Sequence, residues 1–350
     1  MAQDNTFPAL PKNCKSLLSK YLNKEIYEQL KDEKTSYNFT LQKAINSGVV
    51  NLDSGIGVYA GDSESYKTFA PLFDSIIKDY HGYFKEDIHK SNLNPDDLDA
   101  INPDIEGKYI LSTRIRVGRN FANMPLGPAI SRNQRDEVES QAKQALSSLD
   151  GALKGTYFSL DGMSEEVKES LISDHFLFKA GDRFLEAAGL NEHWPHGRGI
   201  FHNRDKTFLV WVNEEDQLRI ISMQQGGDIK EVFTRLTTAI SKLQEQIEFS
   251  YNEHLGYITS CPTNLGTAMR ASVHIKLPNL ADDMKIFKNI TKKYHLQIRG
   301  IHGEHSSSEG SVFDISNKRR LGVTEVECVQ DMYDGVLALI EAEKQLEAKK

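Results

Sequence analysis

Apolar positions recur at helical spacing through the first eighty residues and at strand spacing through much of the remaining chain. Across residues 12–31, Leu17, Leu18, Tyr21, Leu22, Ile26 and Leu30 share a face with lysines between them, which predicts a helix. A short helix is expected over 41–47. Residues 63–80 repeat Tyr66, Phe69, Leu72, Phe73, Ile76 and Ile77 behind Asp62, a fitting N-cap. Residues 85–107 break the pattern: two Asn-Pro pairs and several Asp mark a linker or surface loop.

Beyond residue 107 the period shortens. Residues 108–117 alternate as a strand that puts Arg114 and Arg116 on one face. Helices are expected over 132–148, 164–174 (with Ser164 as N-cap) and 182–188. Apolar runs at 206–213 and 217–223, joined by Glu214-Glu215-Asp216, read as a hairpin. An amphipathic helix over 228–247 is next, then strands at 256–260 and 269–276, a helix at 280–293, strands at 294–299 and 312–316, and a helix at 324–347. In the strand over 269–276, Arg270, Ser272 and His274 share one face, and Ala271, Val273 and Ile275 the other. Hairpins mixed with helices predict an α+β fold with a mainly antiparallel sheet. The division expected is a helical domain over 1–85, a linker over 86–107 and a larger sheet domain over 108–350.

Composition narrows the classes. A chain of 350 residues is long for one core, in keeping with two domains. A net charge of −8 argues against nucleic acid or an anionic membrane as partner. Three scattered cysteines, Cys14, Cys261 and Cys328, form neither a disulfide framework nor a zinc-binding pattern. With no secretory leader and no apolar run of membrane-spanning length, a cytoplasmic protein is expected.

The arginines carry the first chemical signal. A lone strand arginine is ordinarily solvated surface. Arg114, Arg116, Arg219, Arg270 and Arg299 fall in or at the end of separate predicted strands of an acidic chain, and such a set suits the oxygens of a polyphosphate. No Walker A or protein-kinase motif accompanies them. The loop Gly55-Ile-Gly57-Val-Tyr-Ala-Gly61 lacks dinucleotide spacing; it is a turn offering backbone to a small ligand, or a plain connection between helices. Glu214, Glu215 and Asp216 would be solvated at a hairpin tip unless a cationic substrate engaged them. Cys261 is either a small buried hydrophobe or, beside cations, a thiolate. His175 and His274 taken singly are packed or surface histidines.

Together these motifs resemble the phosphagen (ATP:guanidino) kinases over essentially the whole chain. The resemblance rests on Cys261-Pro-Thr-Asn-Leu-Gly-Thr-Ala-Met-Arg-Ala-Ser-Val-His274, Ser112-Thr-Arg-Ile-Arg-Val-Gly-Arg119, Asp174-His-Phe-Leu-Phe178, Gly197-Arg-Gly-Ile-Phe-His202, Phe208-Leu-Val-Trp-Val-Asn-Glu-Glu-Asp216 and Asp314-Ile-Ser-Asn-Lys-Arg319. It implies reversible transfer of the ATP γ-phosphoryl group to a guanidino nitrogen, with Mg held by the nucleotide phosphates and water rather than by the protein. By the same resemblance, the nucleotide (ATP or ADP) falls to Ser112, Arg114, Arg116, His175, Arg219, Arg270, Ser272, Val273, His274, Arg299, Gly300, Gly303, Glu304 and Asp314. Glu215, Cys261 and Glu304 hold the guanidinium, with Arg219 and Arg270 completing the catalytic set. Ser54, Gly55, Ile56, Gly57 and Tyr59 are similar to the substrate loop of the arginine-specific members, so L-arginine is the expected substrate. Asp53 and Arg183 match positions suggested to pair between the domains. Two departures from many relatives stand out, Gly61 in place of proline and Ile301-His302 in place of Thr-Arg. A monomer is expected, with a dimer open. Siblings acting on taurocyamine, lombricine or creatine, a protein-arginine kinase, and a non-catalytic nucleotide-binding relative are the alternatives.

Overall fold

The computed structural model describes residues 6–174, 176–178, 180–300 and 310–349. The expected helix over 12–31 is two helices, α1 (Leu17–Tyr21) and α2 (Lys24–Leu30). The break comes at Asn23, whose side chain accepts from the N–H of Ile26 at 2.9 Å and starts a new helix. Helix α3 (Leu41–Val50) begins on the Thr40 cap. The pattern over 63–80 also divides, into α4 (Ser65–Thr68) and α5 (Ala70–His81), because Pro71 suits the first turn of a helix and not the interior of one. Asp62 does accept from the N–H of Ser65, at 2.8 Å.

These helices enclose Leu18, Phe39, Ile45, Phe69, Phe73 and Ile76, and their core is completed from the rest of the chain by Leu126, Leu255, Ile258, Leu265 and Leu321. Gly61 has a packing reason here. A methyl group on its Cα would overlap the Phe39 ring, and its N–H donates to Ser65 Oγ at 3.2 Å, which proline could not do.

The larger part contains β1 (Ile110–Arg119), α6 (Arg132–Ser147), β2 (Gly155–Ser159), α7 (Glu165–Ser173), α8 (Arg183–Ala187), β3 (Gly199–Asn203), β4 (Phe208–Val212), β5 (Leu218–Gln225), α9 (Ile229–Gln244), β6 (Tyr251–Asn252), β7 (Gly256–Tyr257), β8 (Met269–Lys276), α10 (Pro278–Asp282), α11 (Met284–Lys293), β9 (Leu296–Gly300), β10 (Val312–Asn317) and α12 (Glu325–Glu347). Among the described residues, eight strands form one antiparallel sheet in the order β2-β3-β4-β5-β1-β8-β10-β9. The alternation on β1 and β8 holds. Ile115, Val117, Ala271, Val273 and Ile275 are fully buried in a core shared with α9 and α12, so Arg114, Arg116, Arg270, Ser272 and His274 are left on the other face.

Four further elements differ from the sequence pattern. Strands β2 and β3 carry no strong alternation; both are short, and their pairing partners lie elsewhere in the chain. The strand over 256–260 shrinks to Gly256–Tyr257, because the chain beyond it turns to bond the helical domain. The helix over 280–293 restarts at Asp283, which accepts from the N–H of Ile286 at 3.1 Å. The polar segment 86–107 packs along the sheet domain: Ser91 Oγ and the Asn92 N–H donate to buried Glu325 at 2.9 Å each, and Leu98 enters the core.

Candidate active site

The sheet face turned away from the α9 and α12 core brings the arginines together. Strand register sets Arg116 opposite Arg270, Arg114 opposite Ser272 and Gly118 opposite Arg219. Arg114, Arg116, Arg270 and Arg299 line a cavity of about 960 Å³ with Ser112, Ser272, His274 and Asp314. Arg219 lies in an adjoining recess that Arg116 and Arg270 also line. Burial, with Arg270 beside it, pulls the Arg114 guanidinium down to about 10. Burial and the neighbouring Arg219, Arg114 and Arg270 lower Arg116 well below the ordinary range. Burial lowers these arginines and their mutual repulsion adds to it, so the site favours an anion between them. Asp314 offsets part of the charge: its carboxylate meets Arg270 Nη2 at 2.8 Å and lies 3.7 Å from His274 Nε2. Val273 turns its side chain into the core, so only its backbone faces this side. Gly300 ends β9 opposite Phe313.

The hairpin tip is withdrawn from solvent, with Asp216 buried and Glu214 and Glu215 half-buried. Burial would lower the Arg219 guanidinium, but the three carboxylates around it raise it instead. Its Nη2 pairs with Glu215 Oε2, its Nη1 lies 3.1 Å from Glu214 Oε2, and its Nε lies 3.5 Å from Asp216 Oδ2. Burial pushes the Asp216 carboxyl up to about 6, against the pull of Arg219. The second oxygen of Glu215 accepts from Asn264 Nδ2 at 3.1 Å, and Arg320 donates to Asn264 Oδ1.

Cys261 lies beside this carboxylate. It is 6% exposed and packs with Tyr59, Ala188 and Leu190. Its Sγ is 3.1 Å from Thr263 Oγ1. Burial pushes the thiol up to about 12, and the charge of Glu215 adds to that effect. Without a cation bound, burial and Glu215 thus favour the neutral thiol over the thiolate.

The glycine loop reaches the same place from the helical domain. Carbonyls of Gly55, Ile56 and Gly57 accept from the N–H groups of Leu17, Leu18 and Gly48 at 3.0–3.1 Å. Gly57 has φ +82°, and a methyl there would press on Leu18 Cβ at 2.8 Å, so glycine is required. Ser54 is buried at the loop's start, and Tyr59 at its end touches Cys261. Asp53 and Arg183 do pair, Oδ1 to Nη1 at 2.8 Å, across the two domains. Of the residues named from sequence, His175, Gly303 and Glu304 lie outside the described residues, as do Ile301 and His302. Sequence reasoning passed over Asn264 and Thr263, which hold Glu215 and Cys261. Their only signal was proximity, two and three residues beyond Cys261.

A two-domain chain with a cationic sheet face next to a carboxylate and a thiol is the arrangement of a guanidino phosphotransferase. Residues 12–78 match the family model of the ATP:guanido phosphotransferase N-terminal domain, and residues 137–346 that of the C-terminal catalytic domain. The chain belongs to this family. It is 55% identical over 335 residues to arginine kinase Lit v 2 of Penaeus vannamei, covering 95% of this chain and 94% of that one. An arginine kinase of Anthopleura japonica is 56% identical over 97% of this chain and 48% of its own length. Among solved structures, a lombricine kinase superposes with a TM-score of 0.94 at 40% identity, covering 100% of this chain and 98% of that one. A duplicated taurocyamine kinase from Schistosoma mansoni with transition-state analogue components gives 0.89 at 42% identity, covering 95% of this chain and 46% of that one.

Proposed function

We propose that this protein transfers the γ-phosphoryl group of ATP reversibly to a guanidino nitrogen of L-arginine, giving phosphoarginine and ADP. The observation that carries the reading is Arg219, which belongs to the phosphate-binding face and also grips Glu215, the carboxylate that faces a guanidinium. One side chain thus joins the two half-sites. In the forward direction the guanidino nitrogen forms a bond to Pγ as the bond to the bridging oxygen breaks. Glu215 orients the guanidinium and accepts the proton it sheds, and the arginines take up the charge on the equatorial oxygens and on departing ADP. Closing the domains over the site keeps water from intercepting the phosphoryl group.

Magnesium enters with the nucleotide. Among the described residues no group of three or more His, Cys, Asp or Glu could hold a metal, and Glu214, Glu215 and Asp216 are all engaged by Arg219. The ion's chemistry is to neutralise phosphate charge, and this chain fits it as part of the substrate.

L-arginine is favoured over taurocyamine, lombricine or creatine by the loop Ser54–Tyr59 and by the identity to arginine kinases, which exceeds that to the lombricine and taurocyamine kinases of similar fold. With the Gly55, Ile56 and Gly57 carbonyls turned to the helices, N–H groups are what the loop offers a carboxylate. We assign Glu304 to the guanidinium as well, and His175 and Gly303 to the nucleotide. The division into 1–85, 86–107 and 108–350, a monomeric state and a cytoplasmic location complete the reading. Incubation with ATP, Mg and a panel of guanidines tests it: acid-labile phosphoarginine is expected. Turnover of another guanidine but not arginine would move the protein to a sibling specificity, and nucleotide binding with no product from any guanidine would overturn the enzymatic reading.

A further inference from the structure

The segment that carries Cys261 takes its position from the helical domain. After Tyr257 the chain leaves its short hairpin, and Leu255, Ile258 and Leu265 join the helical core. Three of its carbonyls, and that of His254 in the hairpin turn before it, accept hydrogen bonds from that domain. Tyr83 Oη donates to His254 O at 2.6 Å and Tyr66 Oη to Thr259 O at 2.7 Å. The Ala60 N–H donates to Ser260 O at 2.7 Å. His81 Nε2, at the C-terminus of α5, lies 2.8 Å from Pro262 O and must donate, since a carbonyl only accepts. Thr259 Oγ1 then donates to the carbonyl of Cys261 itself at 2.9 Å, which carries the Tyr66 contact on to the thiol-bearing residue.

We propose that Tyr66 and His81 are positioning residues for Cys261, holding the thiol in register with the loop Ser54–Tyr59 so that the guanidine half-site is one rigid unit. Neither side chain touches the site itself. The proposal rests on the reading of Cys261 as a guanidinium neighbour. Its physical basis is that Thr259 is fully buried, so a lost donor leaves its carbonyl with nothing to replace it. The geometry requires a proton on Nε2, and burial favours the neutral ring, so His81 is held as the Nε2–H tautomer. Ala60 follows Tyr59 directly, so the same backbone that presents the substrate loop also clamps Ser260.

The test uses the full chain with three substitutions. Tyr66→Phe keeps the edge contact to Phe73, 5.1 Å between centroids, and removes only the hydroxyl. His81→Leu removes a donor, and His81→Gln restores one. Iodoacetamide alkylation of Cys261 is followed by mass spectrometry, which separates it from Cys14 and Cys328, alongside kcat, both KM values and Tm. For Tyr66→Phe and His81→Leu we expect Cys261 alkylation at least about threefold faster and kcat about tenfold lower, with KM for ATP unchanged. His81→Gln should stay within about twofold of the parent. Parental alkylation and kcat in Tyr66→Phe, with Tm alone lowered, would reduce Tyr66 to a packing role and overturn the proposal. So would a His81→Gln variant as impaired as His81→Leu, which decides the matter even if Tyr66→Phe does not fold. A parent protein that makes no phosphoarginine would overturn the enzymatic reading instead, and the alkylation comparison would still be decided on its own.

Discussion

Arg116 on β1 and Arg270 on β8 stand directly opposite each other on the open face of the sheet. Like charges in that relation destabilise a pair of strands, so the fold holds this cost until an anion arrives. Arg116→Gln should therefore leave the ligand-free Tm unchanged or raise it, by about 0.5–1 kcal/mol in stability. Activity should fall about 10²- to 10³-fold, since a charge stabiliser of the transition state is gone. Thermal shift with and without Mg-ADP checks both halves: the parent gains stability with nucleotide and the variant gains less.

Glu215 has both oxygens engaged in the ligand-free protein, by Arg219 and by Asn264. Glu215→Gln keeps the shape and removes the charge a guanidinium needs. Phosphoarginine formation should fall about 10³-fold, roughly 4 kcal/mol of transition-state stabilisation. Near-parental turnover would remove Glu215 from the role assigned to it.

Cys261 is held by burial up to about 12, against 9.0 for an ordinary thiol. Near pH 8 its thiolate population, and hence its alkylation rate, should be about 10³-fold below that of an unperturbed cysteine. Cys261→Ser should keep partial activity, because the group positions and does not attack. A phospho-cysteine trapped during turnover would contradict that.

Burial depresses two histidines, His81 between the helical domain and the Cys261 segment and His89 where the segment 86–107 packs on the sheet domain, from 6.5 to about 4 each. The unfolded chain binds these protons near pH 6.5 while the folded chain refuses them until about pH 4. The stability they support is thus fully present above pH 6.5 and is lost as pH falls toward 4. Buried His89 alone should account for roughly 1–2 kcal/mol of loss by pH 5. Urea midpoints at pH 7.5, 6 and 5 should fall in that order for the parent, and less steeply for His89→Gln.

Gly61 leaves no room for a side chain beside Phe39. Gly61→Ala should lower stability by about 1–3 kcal/mol through overpacking. A Tm equal to the parent's would show that the Phe39 ring can move aside.

Much of the site is legible in the sequence because its signals are local. Alternation along β1 and β8 sorts Arg114, Arg116 and Arg270 from their core-facing neighbours within ten residues of chain, and the helical period separates the first domain from the second. Where periodicity suggests one continuous helix and the fold has two, the cause is also local: Asn23, Pro71 and Asp283 each start a new helix with a cap or a fixed φ that periodicity ignores. Strands β2 and β3 escape a reading of local pattern because neither is a continuous apolar run or a clear alternation, and β2 is defined only by its pairing with β3 far along the chain.

The sequence by itself determined which residue types were available and which face of each strand they occupied, since side-chain direction follows from the backbone period. Only the tertiary structure decided that Arg116 meets Arg270, that Arg219 is gripped by Glu214, Glu215 and Asp216, and that Cys261 is buried beside Glu215. These depend on register and on exclusion of water. Both are set by chain segments far apart in sequence, and neither leaves a trace in local pattern.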